Sequence, residues 1–141
     1  MKTVFKNKAG FTMVELMVVV IIVAILAAAA IPLYQANIKR AIRTEAEATL
    51  GAIRSAERIY KTEFGAYTAA TSAEIDSALG VDLSDPHYFD ADCYDVTSTG
   101  ATNFSARCTV NNTSDAPGAA QAKRYFTGIV FTMDEAGTTA P

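Results

Sequence analysis

Histidine occurs once in this chain, at position 87, and cysteine twice, at 93 and 108. A structural zinc site takes four ligands, chiefly of these types, and one histidine with two cysteines 15 positions apart does not supply it. A glycine-rich phosphate loop, a G-x-S-x-G nucleophile elbow and a metal-spaced histidine pair are all missing. The chain does not read as an enzyme, and no cofactor or metal is expected. Asp82, Asp85, Asp90, Asp92 and Asp95 lack the calcium-loop spacing and read as a solvated acidic stretch. His87 reads as a surface or loop residue, and the N-x-[ST] pattern at 111–114 as a polar turn.

Positive charge is scarce beyond the N-terminus. Lys2, Lys6 and Lys8 fall within the first ten residues, and the remainder holds nine basic against fifteen acidic residues, a net −6. A body this acidic is a poor general ligand for phosphate backbones, so no specific nucleic acid is expected as a partner.

What the chain does have is unevenly placed. Its 141 residues suffice for one modest domain and a long helix. Half of them are hydrophobic, and residues 16–31 form an unbroken apolar run. The 21 residues 11–31 are apolar except for Thr12 and Glu15 and make roughly 32 Å of helix, a match to a hydrocarbon core of about 30 Å. The β-branched residues 18–23 favour strand in water, but lipid demands that backbone groups bond within the segment. An ordinary secretory signal cut near Ala28-Ala29-Ala30 explains neither Glu15 nor the helical periodicity that continues past Pro32. A plain membrane anchor also leaves Glu15 unexplained. A charge at a helix centre costs roughly 2.5–3.5 kcal/mol on translocon scales, less near an end. Cleavage after Gly10 would create a partner, the α-amino group of Phe11, largely cationic at neutral pH. That pair forms either within one chain, one turn apart, or between neighbouring chains.

The stretch Gly10-Phe11-Thr12-Met13-Val14-Glu15-Leu16 resembles the class III signal of type IV pilins and secretion pseudopilins. Pro32, Tyr34 and Gln35 extend the likeness to about residue 40. The resemblance implies an α+β pilin fold, a long N-terminal helix on a small antiparallel sheet. It divides the chain into a leader (1–10), a membrane and filament-core helix (11–31), an amphipathic helix (32–64) and a globular region (65–141). It implies a prepilin peptidase that cuts Gly10–Phe11 and methylates Phe11, with Glu15 and Phe11 docking the subunit. The implied partners are other copies in a helical homopolymer, the inner-membrane pilus machinery, and lipid before assembly. The N-terminus would be cytoplasmic in the inner-membrane precursor and the body extracellular in the filament, with adhesion, twitching motility and DNA uptake as filament-level roles. A pseudopilin or minor pilin of a secretion or uptake machine is the alternative. Many family members carry glycine where this chain has Ala24, a better helix former by about 1 kcal/mol, so melting over 24–32 is less secured here. Pro32 still removes a helix hydrogen bond and can kink the helix.

Beyond Pro32, Ile38, Ile42, Ala46, Thr49, Ile53, Ala56, Tyr60 and Phe64 recur at helical steps. Arg43–Glu47 and Glu57–Lys61 are spaced as supporting pairs. Gly65 is placed to stop the helix. Thr71-Ser72-Ala73-Glu74 reads as a capping box for a helix ending before Gly80, and Asp85-Pro86 as a turn. Strands are predicted over 88–97, 103–110 and 125–133. A hairpin centred on Gly100-Ala101 sets Thr97 opposite Phe104 and Cys93 opposite Cys108, within disulfide reach at a non-hydrogen-bonded site. Family disulfides often bracket a loop nearer the C-terminus, so this one is similar but earlier. In the entropic view, closing such a loop contributes about 3 kcal/mol.

Intact-mass analysis of the mature protein checks the three covalent expectations of cleavage, methylation and disulfide. The chain should start at Phe11 with one added methyl group and be two hydrogens lighter than its reduced form. A start at Ile31, or an intact Met1, contradicts the leader assignment.

Overall fold

The structure, a computed structural model, describes residues 10–84, 87–110, 116–137 and 139–140. The leader up to residue 9, the turn at 85–86 and the polar segment at 111–114 lie outside the described residues. The chain forms two compact units, Met1–Asn37 and Ile38–Pro141.

Helix α1, Met13–Phe64, belongs to both. Its helical assignment runs through Pro32 without interruption. Gly65, at φ 80, ends it, in the left-handed conformation that glycine adopts without a Cβ penalty. In the first unit every apolar side chain of the run faces outward, Val18, the least exposed of the large ones, still being 50% accessible.

The second unit is α+β. After α1 come α2 (Ser72–Leu79), a 3-10 turn (Ala91–Cys93), β1 (Tyr94–Ser98), β2 (Phe104–Thr109), α3 (Ala119–Phe126), β3 (Val130–Asp134) and β4 (Thr139–Ala140). The strands form one antiparallel sheet in the order β1-β2-β3-β4. Alternation along the strands sends Tyr94, Val96, Phe104, Ala106, Cys108, Phe131 and Met133 into the core, as a sheet with one covered face requires. They share that core with Ile42, Ala46, Leu50 and Ile53, the inward stripe of α1. The outer edge of β1 is partly closed by Ala70, which exchanges backbone hydrogen bonds with Val96 (3.1 and 2.8 Å).

The capping box of α2 is present: Glu74 Oε2 accepts from the Thr71 N–H and hydroxyl (3.0 and 2.8 Å), and Gly80 closes the helix. The strand expectations need correction. Residues 88–93 are a loop and a 3-10 turn, and β1 begins only at Tyr94. Tyr125 and Phe126 end α3, since the preceding Ala-Ala-Gln-Ala-Lys-Arg stretch is made of strong helix formers. The hairpin register is also one residue off: Cys108 pairs with Tyr94 and Phe104 with Ser98. Cys93 lies just before the strand, in the turn, and both cysteines are buried.

Three polar side chains on α1 fasten loops to it. Glu45 Oε1 accepts the N–H groups of Tyr88 and Phe89 (2.7 and 3.1 Å). Arg54 donates twice to the carbonyl of Glu135 (3.1 and 2.9 Å). Glu57 Oε2 accepts the Thr68 N–H at 3.1 Å. Of the expected ion pairs, Arg43–Glu47 is present at 3.2 Å. Glu57–Lys61 is not: Lys61 turns to Glu135 at 3.9 Å, because Glu57 is fully buried on the inward stripe.

Glu57 makes a pH prediction. Burial raises its carboxyl pKa above the ordinary 4.5, outweighing the lowering by the Thr68 N–H, and its Oε1 has no hydrogen-bond partner among the described residues. A folded-state pKa above the unfolded one means that the folded chain binds the proton more tightly. The resulting stabilisation is complete below the unfolded value and is lost as pH rises through the folded one. Glu57→Gln retains an acceptor for Thr68 and removes the buried charge. Thermal unfolding of the full chain in detergent should show the variant more stable than the parent at pH 7, with the advantage shrinking as pH falls through the raised carboxyl pKa and vanishing below its ordinary value. A pH-independent difference contradicts the assignment.

Candidate assembly site

The N-terminal turn of α1 is built from three residues. Thr12 precedes the first helical residue, Met13, and acts as its cap: the Glu15 N–H donates to the Thr12 hydroxyl oxygen at 3.2 Å. Glu15 reciprocates, Oε2 accepting from the Thr12 N–H at 3.0 Å and from its hydroxyl at 2.9 Å. This Thr-x-x-Glu arrangement is a capping box, the same device that opens α2. It also sets a carboxylate in the first turn, where the helix dipole favours negative charge. The sequence signal was available, since Thr12 and Glu15 have the spacing of Thr71 and Glu74.

The box changes what Glu15 requires of a partner. Its hydrogen bonds fall on Oε2 and come from neutral groups. They satisfy an oxygen without neutralising the negative charge. Gly10 and Phe11 precede the helix and are open, Phe11 being 84% accessible. The bond between them is reachable from solvent, and a new amine at Phe11 would emerge one residue before the cap. Pro32 lies within α1 and is exposed.

From Met13 to Leu33 large apolar side chains project all round the helix, each at least half accessible. A helix apolar on every face belongs in a core or a membrane, and this one is long and apolar enough to cross a bilayer. Such a surface exceeds the few hundred Å² of apolar patch usual on a soluble monomer.

Cys93 and Cys108 belong to the second unit. Burial pushes the Cys108 thiol well above its ordinary range, and the Cys93 sulfur adds to the effect, so this is not an activated nucleophile. Among the described residues the aspartates form no cluster. Asp82 accepts the Ser84 N–H at 2.8 Å, and Asp95 takes the Arg107 guanidinium at 2.6 Å. Among the described residues no group of three or more His, Cys, Asp or Glu could hold a metal ion. His87 is exposed and stands edge-on to Tyr88.

Residues 5–31 match the family model described as the prokaryotic N-terminal methylation motif. The chain is 38% identical over 74 residues to the type IV wide pilus major component PilA4 of Thermus thermophilus, covering 52% of this chain and 56% of that protein. It is 39% identical over 64 residues to the fimbrial protein EcpC of Eikenella corrodens, covering 45% and 42% respectively. The chain thus spans about half the length of the curated relatives it matches. No solved structure matches it.

Proposed function

We propose that this chain, a homologue over part of its length of a type IV pilus component and a fimbrial protein, is a structural subunit that polymerises into an extracellular pilus. The observation that carries the reading is the exposed apolar helix, opening with an anionic capping box inside a methylation motif. A prepilin peptidase cuts Gly10–Phe11 and methylates the new amine. Before assembly the apolar helix lies in the inner membrane with its N-terminus cytoplasmic. The pilus machinery then transfers it from lipid into a bundle of its own copies, a transfer between apolar surroundings that leaves the Glu15 charge as the term to be met. The Phe11 amine of a neighbouring subunit meets it and so sets the axial register. Pro32, lacking an N–H, gives the helix a place to bend during the transfer.

The Thermus relative is named as a major component of its pilus, which favours a main filament subunit over a minor pilin or pseudopilin. Adhesion, twitching motility and DNA uptake would then be properties of the filament. The Cys93–Cys108 pair closes once the body is exported, the two thiols giving up two electrons and two protons to that compartment's oxidants. Adjacency supports this, Cys108 lying opposite Tyr94, the residue after Cys93.

Two substitutions separate the cap from the charge. Glu15→Gln keeps a competent box, since glutamine serves at that position, but removes the charge. Thr12→Ala does the reverse, costing the first turn about 1 kcal/mol. Counted on cells, filaments of Glu15→Gln should fall by at least about tenfold, equivalent to ~1.4 kcal/mol of docking, while Thr12→Ala stays near the parent. Equal assembly of Glu15→Gln and parent, or an equal defect in both variants, reduces Glu15 to a cap.

A further inference from the structure

The cations of the acidic body are not dispersed evenly. Lys39, Arg40 and Arg43 follow the apolar run within twelve residues of Ile31. In the folded second unit Arg124, from the last turn of α3, is brought to the same ring as Lys39, whose chain neighbour is Arg40. The Tyr125 ring links the two elements, with Lys39 Nζ 5.2 Å and Arg124 Cζ 5.8 Å from its centroid. One aromatic ring thus gathers cations that stand 85 positions apart in the chain. Arg43 is paired with Glu47. Lys39, Arg40 and Arg124 are exposed, and none forms an ion pair among the described residues. Glu45, on the same stretch of α1, keeps its negative charge but is turned to the Tyr88 and Phe89 N–H groups and forms no ion pair with these cations.

We infer that Lys39, Arg40 and Arg124 form a docking surface for the phosphate headgroups of anionic lipid, used by the subunit before it enters the filament. The inference rests on the reading that residues 11–31 span a bilayer. Eight residues of helix from Ile31 to Lys39 rise roughly 12 Å, and the headgroup layer extends about 5–8 Å beyond the hydrocarbon. Long basic side chains lie back toward the interface while keeping their charge in the polar layer, and guanidinium pairs with phosphate in a two-pronged fashion. The remainder of the body, being acidic, is repelled by the same surface, which confines contact to this end. Cations just outside the membrane also run against the usual preference for basic residues on the cytoplasmic side, and a headgroup ligand gives them a use there.

The full chain in lipid nanodiscs provides the test, with acetylation rates at Lys39 and Lys61 read by mass spectrometry. Lys61, held by Glu135 and the Tyr67 ring, serves as the internal reference. Phosphatidylglycerol-containing discs should slow Lys39 by about fivefold relative to phosphatidylcholine discs. Lys61 should not change, and about 1 M salt, which shortens the screening length to ~3 Å, should abolish the difference. Arg124→Gln should reduce the protection. Equal Lys39 rates in the two discs overturn the inference, as does equal protection by inorganic phosphate in phosphatidylcholine discs, which makes the ligand a free anion. A chain that fails to co-elute with either disc overturns the membrane-spanning reading and the inference together.

Discussion

Sixteen consecutive apolar residues, 16–31, stand open to the surroundings on every side of one helix. At about 25 cal/mol per Å² of apolar surface, water is the one environment such a helix must avoid. Both environments proposed for it, lipid first and a bundle of like helices later, satisfy this constraint. Because both are apolar, moving between them gains little from hydrophobicity. On the proposed reading, polar detail at the end of the run decides whether transfer is favourable. That detail is Glu15, whose carboxylate is structurally satisfied by Thr12 on one oxygen yet keeps its net charge.

The second unit uses α1 in a different way. Ile42, Ala46, Leu50 and Ile53 supply the apolar contact, while Glu45, Arg54 and Glu57 fasten three separate loops. A small sheet with long connections gains order when its loop backbone is held by a rigid element, and a helix that already carries the core stripe is that element. The same helix is thus an open apolar rod in the first unit and the spine of the second, with the change falling near Asn37.

Much of this was readable from residue order. The end of α1 at Phe64 and the helix opened by Thr71 and Glu74 follow from periodicity and capping chemistry, and the α+β class from the family resemblance. Other features were obscured by competing signals. Thr12 and Glu15 form the same box, but in an apolar segment the carboxylate drew attention as an unpaired charge. Glu57 extends the 50, 53, 57 stripe, yet its charge suggested an outward partner in Lys61. Tyr125 and Phe126 have strand character, and only the alanines before them favour helix. The hairpin register differs by one residue because its turn is wider than a two-residue loop, the Thr99 N–H donating to the Asn103 carbonyl at 3.0 Å across residues 100–102.

The charge pair proposed between subunits has a geometry that can be measured. Filaments assembled from a mixture of two preparations, one carrying a nitrogen-15 label at the Phe11 amine and the other a carbon-13 label at the Glu15 carboxyl, isolate the contact between copies. Solid-state dipolar recoupling should detect a nitrogen-to-carboxylate separation within about 4 Å, the range of a salt bridge. Recoupling that appears only when both labels share one chain, or no recoupling at all, would contradict it.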